Sequence, residues 1–124
     1  AQGGVSEDEF RRLYKAMLAY YGNHNAVHTV PFPGAAAALD ALAARGVRLA
    51  VVTNKFESFA RAALAGTGLL DRFDVVIGGD TLGKCTDGAF LAKPLAAPVL
   101  AARVATGGGA FAFLGDSTYD VRAA

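Results

Sequence analysis

Three short apolar runs in this sequence are each followed at once by polar residues of kinds that handle charge. Val51 and Val52 lead into Thr53, Asn54 and Lys55. Val75, Val76 and Ile77 lead into Gly78, Gly79, Asp80 and Thr81. Phe111 to Leu114 lead into Gly115, Asp116, Ser117, Thr118, Tyr119 and Asp120. A hydroxyl and an amide on one loop, with carboxylates on others, suit a phosphate ester neutralised by Mg²⁺, which is held by a few carboxylate oxygens together with water and substrate phosphate. Each cluster taken singly reads first as a turn or helix cap, the ordinary use of Thr, Asn, Asp and Ser after strands. Their common place is the stronger signal, because ligands of an open parallel sheet bind beyond the carboxyl ends of its strands.

Positioning such loops requires a sheet, and the order of elements predicts one. Ser6 with Glu9 forms a capping box, and Val5 with Phe10 a hydrophobic staple, so a helix should begin at Glu7. Phe10, Leu13, Tyr14, Met17, Leu18 and Tyr21 follow at helical spacing, and Gly22 is a suitable stop. The stretch from Asn23 to Val30 has no period, and Pro31, Pro33 and Gly34 punctuate its end. A boundary near Pro31 therefore divides residues 1–30 from residues 31–124. Three α-then-β units follow: an Ala-rich helix to Arg45 capped by Gly46, then strand Val47 to Thr53; a helix from about Ser58 to Ala65, then strand Val75 to Ile77; a helix from about Leu95 to Val104, then strand Ala110 to Leu114. The class is α/β with a parallel sheet buried on both faces, which accounts for strands that are solidly apolar and do not alternate.

Composition removes other classes. The 124 residues make one domain, and 27 alanines among the apolar residues predict thin, closely packed helices. Lys and Arg number 12 against 11 Asp and Glu, so no strong field draws in nucleic acid or an acidic membrane. No apolar run approaches the roughly 18 to 20 residues that span a bilayer, and no signal-peptide pattern opens the chain, so a soluble cytoplasmic protein is expected. Cys85 is the lone cysteine, which excludes an internal disulfide framework and a multi-cysteine zinc site. His24 and His28 stand one helical turn apart but lack a third ligand. Gly107, Gly108 and Gly109 precede a strand, whereas a dinucleotide-binding loop must follow one. Tyr14, Tyr20 and Tyr21 fit a helix packing face better than a base-stacking platform.

The motifs in order are Val51-Val52-Thr53-Asn54-Lys55, Phe73 to Thr81, Lys93-Pro94, and Phe113-Leu114-Gly115-Asp116-Ser117 with Asp120. This series resembles the haloacid dehalogenase-like phosphohydrolases, most of all their phosphoglycolate phosphatase group, and Pro31-Phe32-Pro33-Gly34 resembles that group's junction between cap and core. The resemblance implies a partial Rossmannoid core preceded by the last helix of a helical cap. It implies that Thr53 and Asn54 bind the transferring phosphoryl group and that Lys93 neutralises it and positions the nucleophile. Asp116 would bind Mg²⁺, Asp120 would complete or orient that site, and the substrate would be a small phosphorylated metabolite. Lys84 is a rival to Lys93, although Pro94 and the following Ala97-Pro98-Val99-Leu100 favour Lys93.

The family's chemistry also needs an Asp-x-Asp pair after a strand, one carboxylate attacking phosphorus and the other serving as general acid and base. The acids before Thr53 are Glu7, Asp8, Glu9 and Asp40, and none follows a predicted strand. The expectation is a fragment cut at both ends, inactive alone, whose nucleophile strand would lie between the strand ending at Thr53 and the one ending at Leu114. That place should then either stand open or be closed by direct pairing of Ala110 to Leu114 with Ala50 to Thr53. The alternative is a non-catalytic α/β module that binds phosphate or metal, or that binds a partner through an exposed strand edge. The oligomeric state is not fixed by these features.

Overall fold

A computed structural model describes residues 6–24 and 29–124; His28 lies outside them. Helix α1 (Glu7–His24) starts where its capping residues require, with Ser6 Oγ accepting the Glu9 N–H at 3.1 Å and three acids in the first turn at the positive end of the helix dipole. It runs on through Gly22, since glycine inside a helix costs only about 1 kcal/mol relative to alanine. Of the apolar stripe, Phe10, Leu13, Tyr14 and Met17 are exposed and Leu18 is half-buried.

Helix α2 (Ala35–Ala44) is closed by Gly46, whose φ of +78° is a conformation that other residues adopt at a cost. Strand β1 (Ala50–Val52), helix α3 (Glu57–Gly66), a 3-10 turn (Leu70–Arg72), strand β2 (Val75–Ile77), helix α4 (Ala97–Ala105) and helix α5 (Thr118–Ala123) follow. β1 and β2 pair in parallel, with Ala50 opposite Val75 and Val52 opposite Ile77. Asp74 pins the start of this register. Its N–H donates to the Leu49 carbonyl at 2.8 Å, and its carboxylate accepts the Leu49 N–H at 2.9 Å and pairs with Arg48 at 3.2 Å. The Leu49 bond, with Arg48 beside it, holds the Asp74 carboxyl below the usual carboxylate range.

Val76 and Ile77 point to opposite faces of the sheet and are both buried, so β2 is covered on both sides. α4 packs across both strands through Pro98, Val99 and Ala102, and α3 packs on β2 with Ala60 buried. Alanine supplies two of these four buried residues, Ala60 and Ala102. Among the described residues no helix is long and apolar enough to cross a membrane.

The third expected strand does not form. Ala110 to Leu114 carries no ladder among the described residues, and the sheet has two strands. Leu49 and Thr53 direct their backbone groups at β2, and alternation along a parallel strand leaves those of Ala50 and Val52 on the opposite edge. Between that edge and the 110–114 segment lies a cavity of about 100 Å³, lined by Ala50, Val52, Val99, Phe111 and Phe113. A strand exists only with a partner, and the cavity separates this apolar run from the open edge of β1. Of the two outcomes expected for that place, the open one is found.

Candidate functional site

The loops that leave β1 and β2 are built as one unit. Thr53 continues the ladder by donating its N–H to the Ile77 carbonyl at 2.9 Å, and its hydroxyl accepts the Lys55 N–H at 3.2 Å, which turns the chain. Gly79 N–H donates to the Lys55 carbonyl at 2.8 Å, and Asp80 caps α3 by accepting the Glu57 N–H at 2.7 Å. The Thr81 hydroxyl accepts the Gly78 N–H and donates to Glu57, both at 2.7 Å. That bond, with Arg61 behind it, holds the Glu57 carboxyl below its usual range. Such closeness needs glycine: a Cβ on Gly79 would collide with the Asn54 carbonyl, and one on Gly78 with the backbone of Lys55 and Glu57.

Asn54 reaches across to the loop before α4. Its Nδ2 donates to the Lys93 carbonyl and its Oδ1 accepts the Lys93 N–H, both at 2.9 Å. The peptide after Lys93, to Pro94, is cis. The Lys93 side chain runs past the Phe113 ring, 5.8 Å from its centroid, and its ammonium bonds Oδ1 of Asp120 in a nearly buried ion pair.

Asp120 belongs to the N-terminal turn of α5, where Ser117 and Asp120 form a reciprocal capping box. Its Oδ2 accepts the N–H of Asp116 at 3.1 Å, the N–H of Ser117 at 3.0 Å and the Ser117 hydroxyl at 2.9 Å. The Lys93 ammonium first, and the Ser117 hydroxyl second, lower the Asp120 carboxyl to about 2. Gly115 is required here as well, since a Cβ on it would overlap the Asp120 carboxylate.

Four of the residues singled out from the sequence are therefore joined in one run of contacts, Asn54 to Lys93 to Asp120 to Asp116, and Thr53 is the neighbour of the first. Lys84 stands apart from that run. The long stretch before Lys93 folds into a hairpin from Gly83 to Leu91, in which the Lys84 ammonium lies 4.9 Å from the centre of the Phe90 ring and Phe90 packs edge-on against Phe56. The helix-cap reading of the cluster after Leu114 holds at Ser117, which caps α5, whereas the sequence assigns Gly115 no role. The spacing Ser-x-x-Asp was the available signal for Ser117, and nothing local marks Gly115.

The carboxylates of this region bear on whether a divalent cation can be held. Both oxygens of Asp120 are engaged within the protein, whereas Asp116, whose N–H bonds one of them, is exposed. Among the described residues no three His, Cys, Asp or Glu side chains cluster. The arrangement fits Mg²⁺, which commonly takes one or two carboxylates and fills its other positions with water and substrate phosphate.

Comparison with known proteins follows the same lines. A phosphoglycolate phosphatase from Rhodospirillum rubrum is 52% identical over 67 residues, covering 54% of this chain and 28% of that protein. One from Cereibacter sphaeroides is 35% identical over 126 residues, covering all of this chain and 55% of that protein. The chain thus spans from about a quarter to about half the length of these curated relatives. The crystal structure of a predicted phosphoglycolate phosphatase from Haemophilus somnus superposes with a TM-score of 0.73 at 30% identity, covering 84% of this chain and 43% of that one. The family model for haloacid dehalogenase-like hydrolases matches residues 4–124, and the chain belongs to that family.

Proposed function

We propose that these residues form the phosphate- and metal-binding part of a Mg²⁺-dependent phosphoric monoester hydrolase resembling phosphoglycolate phosphatase, acting on a small phosphorylated metabolite in the cytoplasm. The observation that carries this reading is the run Asn54–Lys93–Asp120–Asp116, which links a cation and an exposed acidic residue to the loop that leaves β1 at Thr53. Phosphoryl transfer needs little covalent chemistry from most of its site. It needs positioning and the neutralisation of charge on the equatorial oxygens.

In this reading Thr53 and Asn54 border the phosphoryl group, and the Lys93 ammonium offsets its charge while Asp120 fixes where that ammonium stands. Asp116 would hold Mg²⁺, which when bound supplies charge neutralisation at the phosphate oxygens. Asp120 orients the Asp116 loop through its backbone N–H and is not itself a ligand. The attacking carboxylate, which would form an aspartyl-phosphate, is assigned to an Asp-x-Asp strand outside these residues. The cavity supports that assignment, since Ala50 and Val52 of β1 line it together with Phe111 and Phe113.

The test is phosphate release from 2-phosphoglycolate and other small phosphomonoesters by the complete protein containing these residues, with and without Mg²⁺. Release that needs Mg²⁺ is expected, together with none from the 124-residue chain alone. Absence of release by the complete protein would refute the phosphatase reading, and turnover by the short chain would refute the placement of the nucleophile.

A further inference from the structure

We infer that the Asn54 side chain is a positioning device for Lys93; this rests on the reading of Lys93 given above. A carboxamide has two donor hydrogens and two acceptor lone pairs. One of each is engaged by the N–H and the C=O of the same residue, Lys93, across 39 residues of chain. Two bonds of opposite sense fix a backbone in both position and rotation, whereas one would leave a hinge. No other uncharged side chain of this length does both, because serine and threonine are too short and an ionised aspartate would set a negative oxygen against the Lys93 carbonyl.

The far end of Lys93 is held too. Its ammonium bonds Oδ1 of Asp120, whose other oxygen is fixed by the turn that starts α5. The residue is thereby gripped at its backbone by the loop after β1 and at its tip by the turn before α5. A lysine anchored at one end only would distribute its charge over several rotamers, and small displacements of a charged group in a phosphoryl-transfer site cost about a hundredfold in rate. Asn54 is itself set in place by Gly79, where any side chain would strike the Asn54 carbonyl. The loop after β2 thus crowds the loop after β1, and that loop holds the backbone from which the ammonium extends.

The experiment is a double-mutant cycle in the complete protein, with Asn54→Ala, Lys93→Met and the pair, assayed by phosphate release, alongside hydrogen exchange at the Lys93 amide. Asn54→Ala is expected to lower kcat by about 10- to 100-fold with KM changed less than about threefold, and to cost nothing further once Lys93 is Met. The Lys93 amide should exchange at least about tenfold faster in Asn54→Ala, because its acceptor is gone. Multiplicative losses in the double variant, or unchanged protection of that amide, would overturn the inference while leaving Lys93 in its role. Full kcat in Lys93→Met would instead remove the reading of Lys93 and this inference with it. Should Lys93→Met not fold, the exchange measurement on Asn54→Ala decides alone.

Discussion

The Lys93 ammonium rests on one oxygen of Asp120 while the other oxygen gathers the Asp116 and Ser117 N–H groups and the Ser117 hydroxyl, so a single buried carboxylate ties the loop before α4 to the start of α5. The two residues are 27 positions apart, and each fixes the other in a place that neither would hold alone. An ion pair of this kind is better evidence for a specified geometry than for stability, because removing both charges from water offsets much of their attraction.

Stability should depend on acid through this carboxylate. The Asp120 carboxyl lies at about 2 in the folded chain, against an ordinary value of about 3.9. A folded value below the unfolded one means that the contribution is fully present above about pH 4 and is lost as pH falls towards 2. Glu57 and Asp74 are lowered as well and act in the same direction. Asp120→Asn should therefore melt at a lower temperature than the parent at neutral pH and show a shallower loss of melting temperature between about pH 4 and pH 2. Equal melting temperatures at pH 7 would show that the pair contributes nothing.

The two lysines that compete for the phosphate role should separate cleanly in activity. Lys93 points into the run of site residues, whereas Lys84 lies on the Phe90 ring of an outlying hairpin. In the complete protein, Lys93→Ala should lower kcat by about 100-fold or more, the typical effect of removing one group that stabilises transition-state charge. Lys84→Ala should stay within about threefold, since an exposed cation–π contact is worth only about 0.5–1 kcal/mol to its own hairpin. A larger loss in Lys84→Ala than in Lys93→Ala would exchange their roles.

What could be read from the sequence follows the range of the interactions involved. The start of α1, the Gly46 cap and β2 at Val75 to Ile77 depend on residues within a turn of one another, and their signals are local. The clusters after the strands could be placed on one edge, because strand order fixes where loops emerge. The Asn54 clamp could not, since an asparagine in a turn looks the same whether its carboxamide bonds its own loop or a backbone 39 residues away. Ala110 to Leu114 fails for a different reason. Its composition is as apolar as that of β1, but strand formation belongs to a pair, and this segment faces a cavity.

Glycine at 115 should be irreplaceable for a reason that involves no glycine-specific backbone angle. A Cβ there would overlap the Asp120 carboxylate, so Gly115→Ala must displace the group that holds Lys93, Ser117 and the Asp116 N–H. Forcing one methyl into a filled site typically costs about 1–3 kcal/mol. The variant should also lose activity in the complete protein, and the Asp120 carboxyl should titrate nearer its ordinary value. Gly83→Ala serves as the comparison, because a Cβ at Gly83 meets nothing within 4 Å, though its φ of +80° carries its own backbone cost. Comparable losses of activity in the two variants would mean that the crowding at Asp120 is not what matters.

The open edge of β1 makes a prediction of its own. Among the described residues, the Ala50 and Val52 backbone groups directed away from β2 have no ladder partner, and the 110–114 segment across the cavity has none either. Unpaired edges of this kind are templates for another strand. If a strand from elsewhere in the complete protein occupies that place, the amide of Val52 and one of the two neighbouring amides of Ala112 and Phe113, which point to opposite sides, should be protected from hydrogen exchange there, and by at least about a hundredfold less in the 124-residue chain, since protection tracks the free energy of opening. The amide of Val76, paired and buried in β2, is the internal reference and should differ less between the two. Equal protection at Val52 in both proteins would mean that nothing enters the cavity, and the nucleophile would have to be sought at another edge of the sheet.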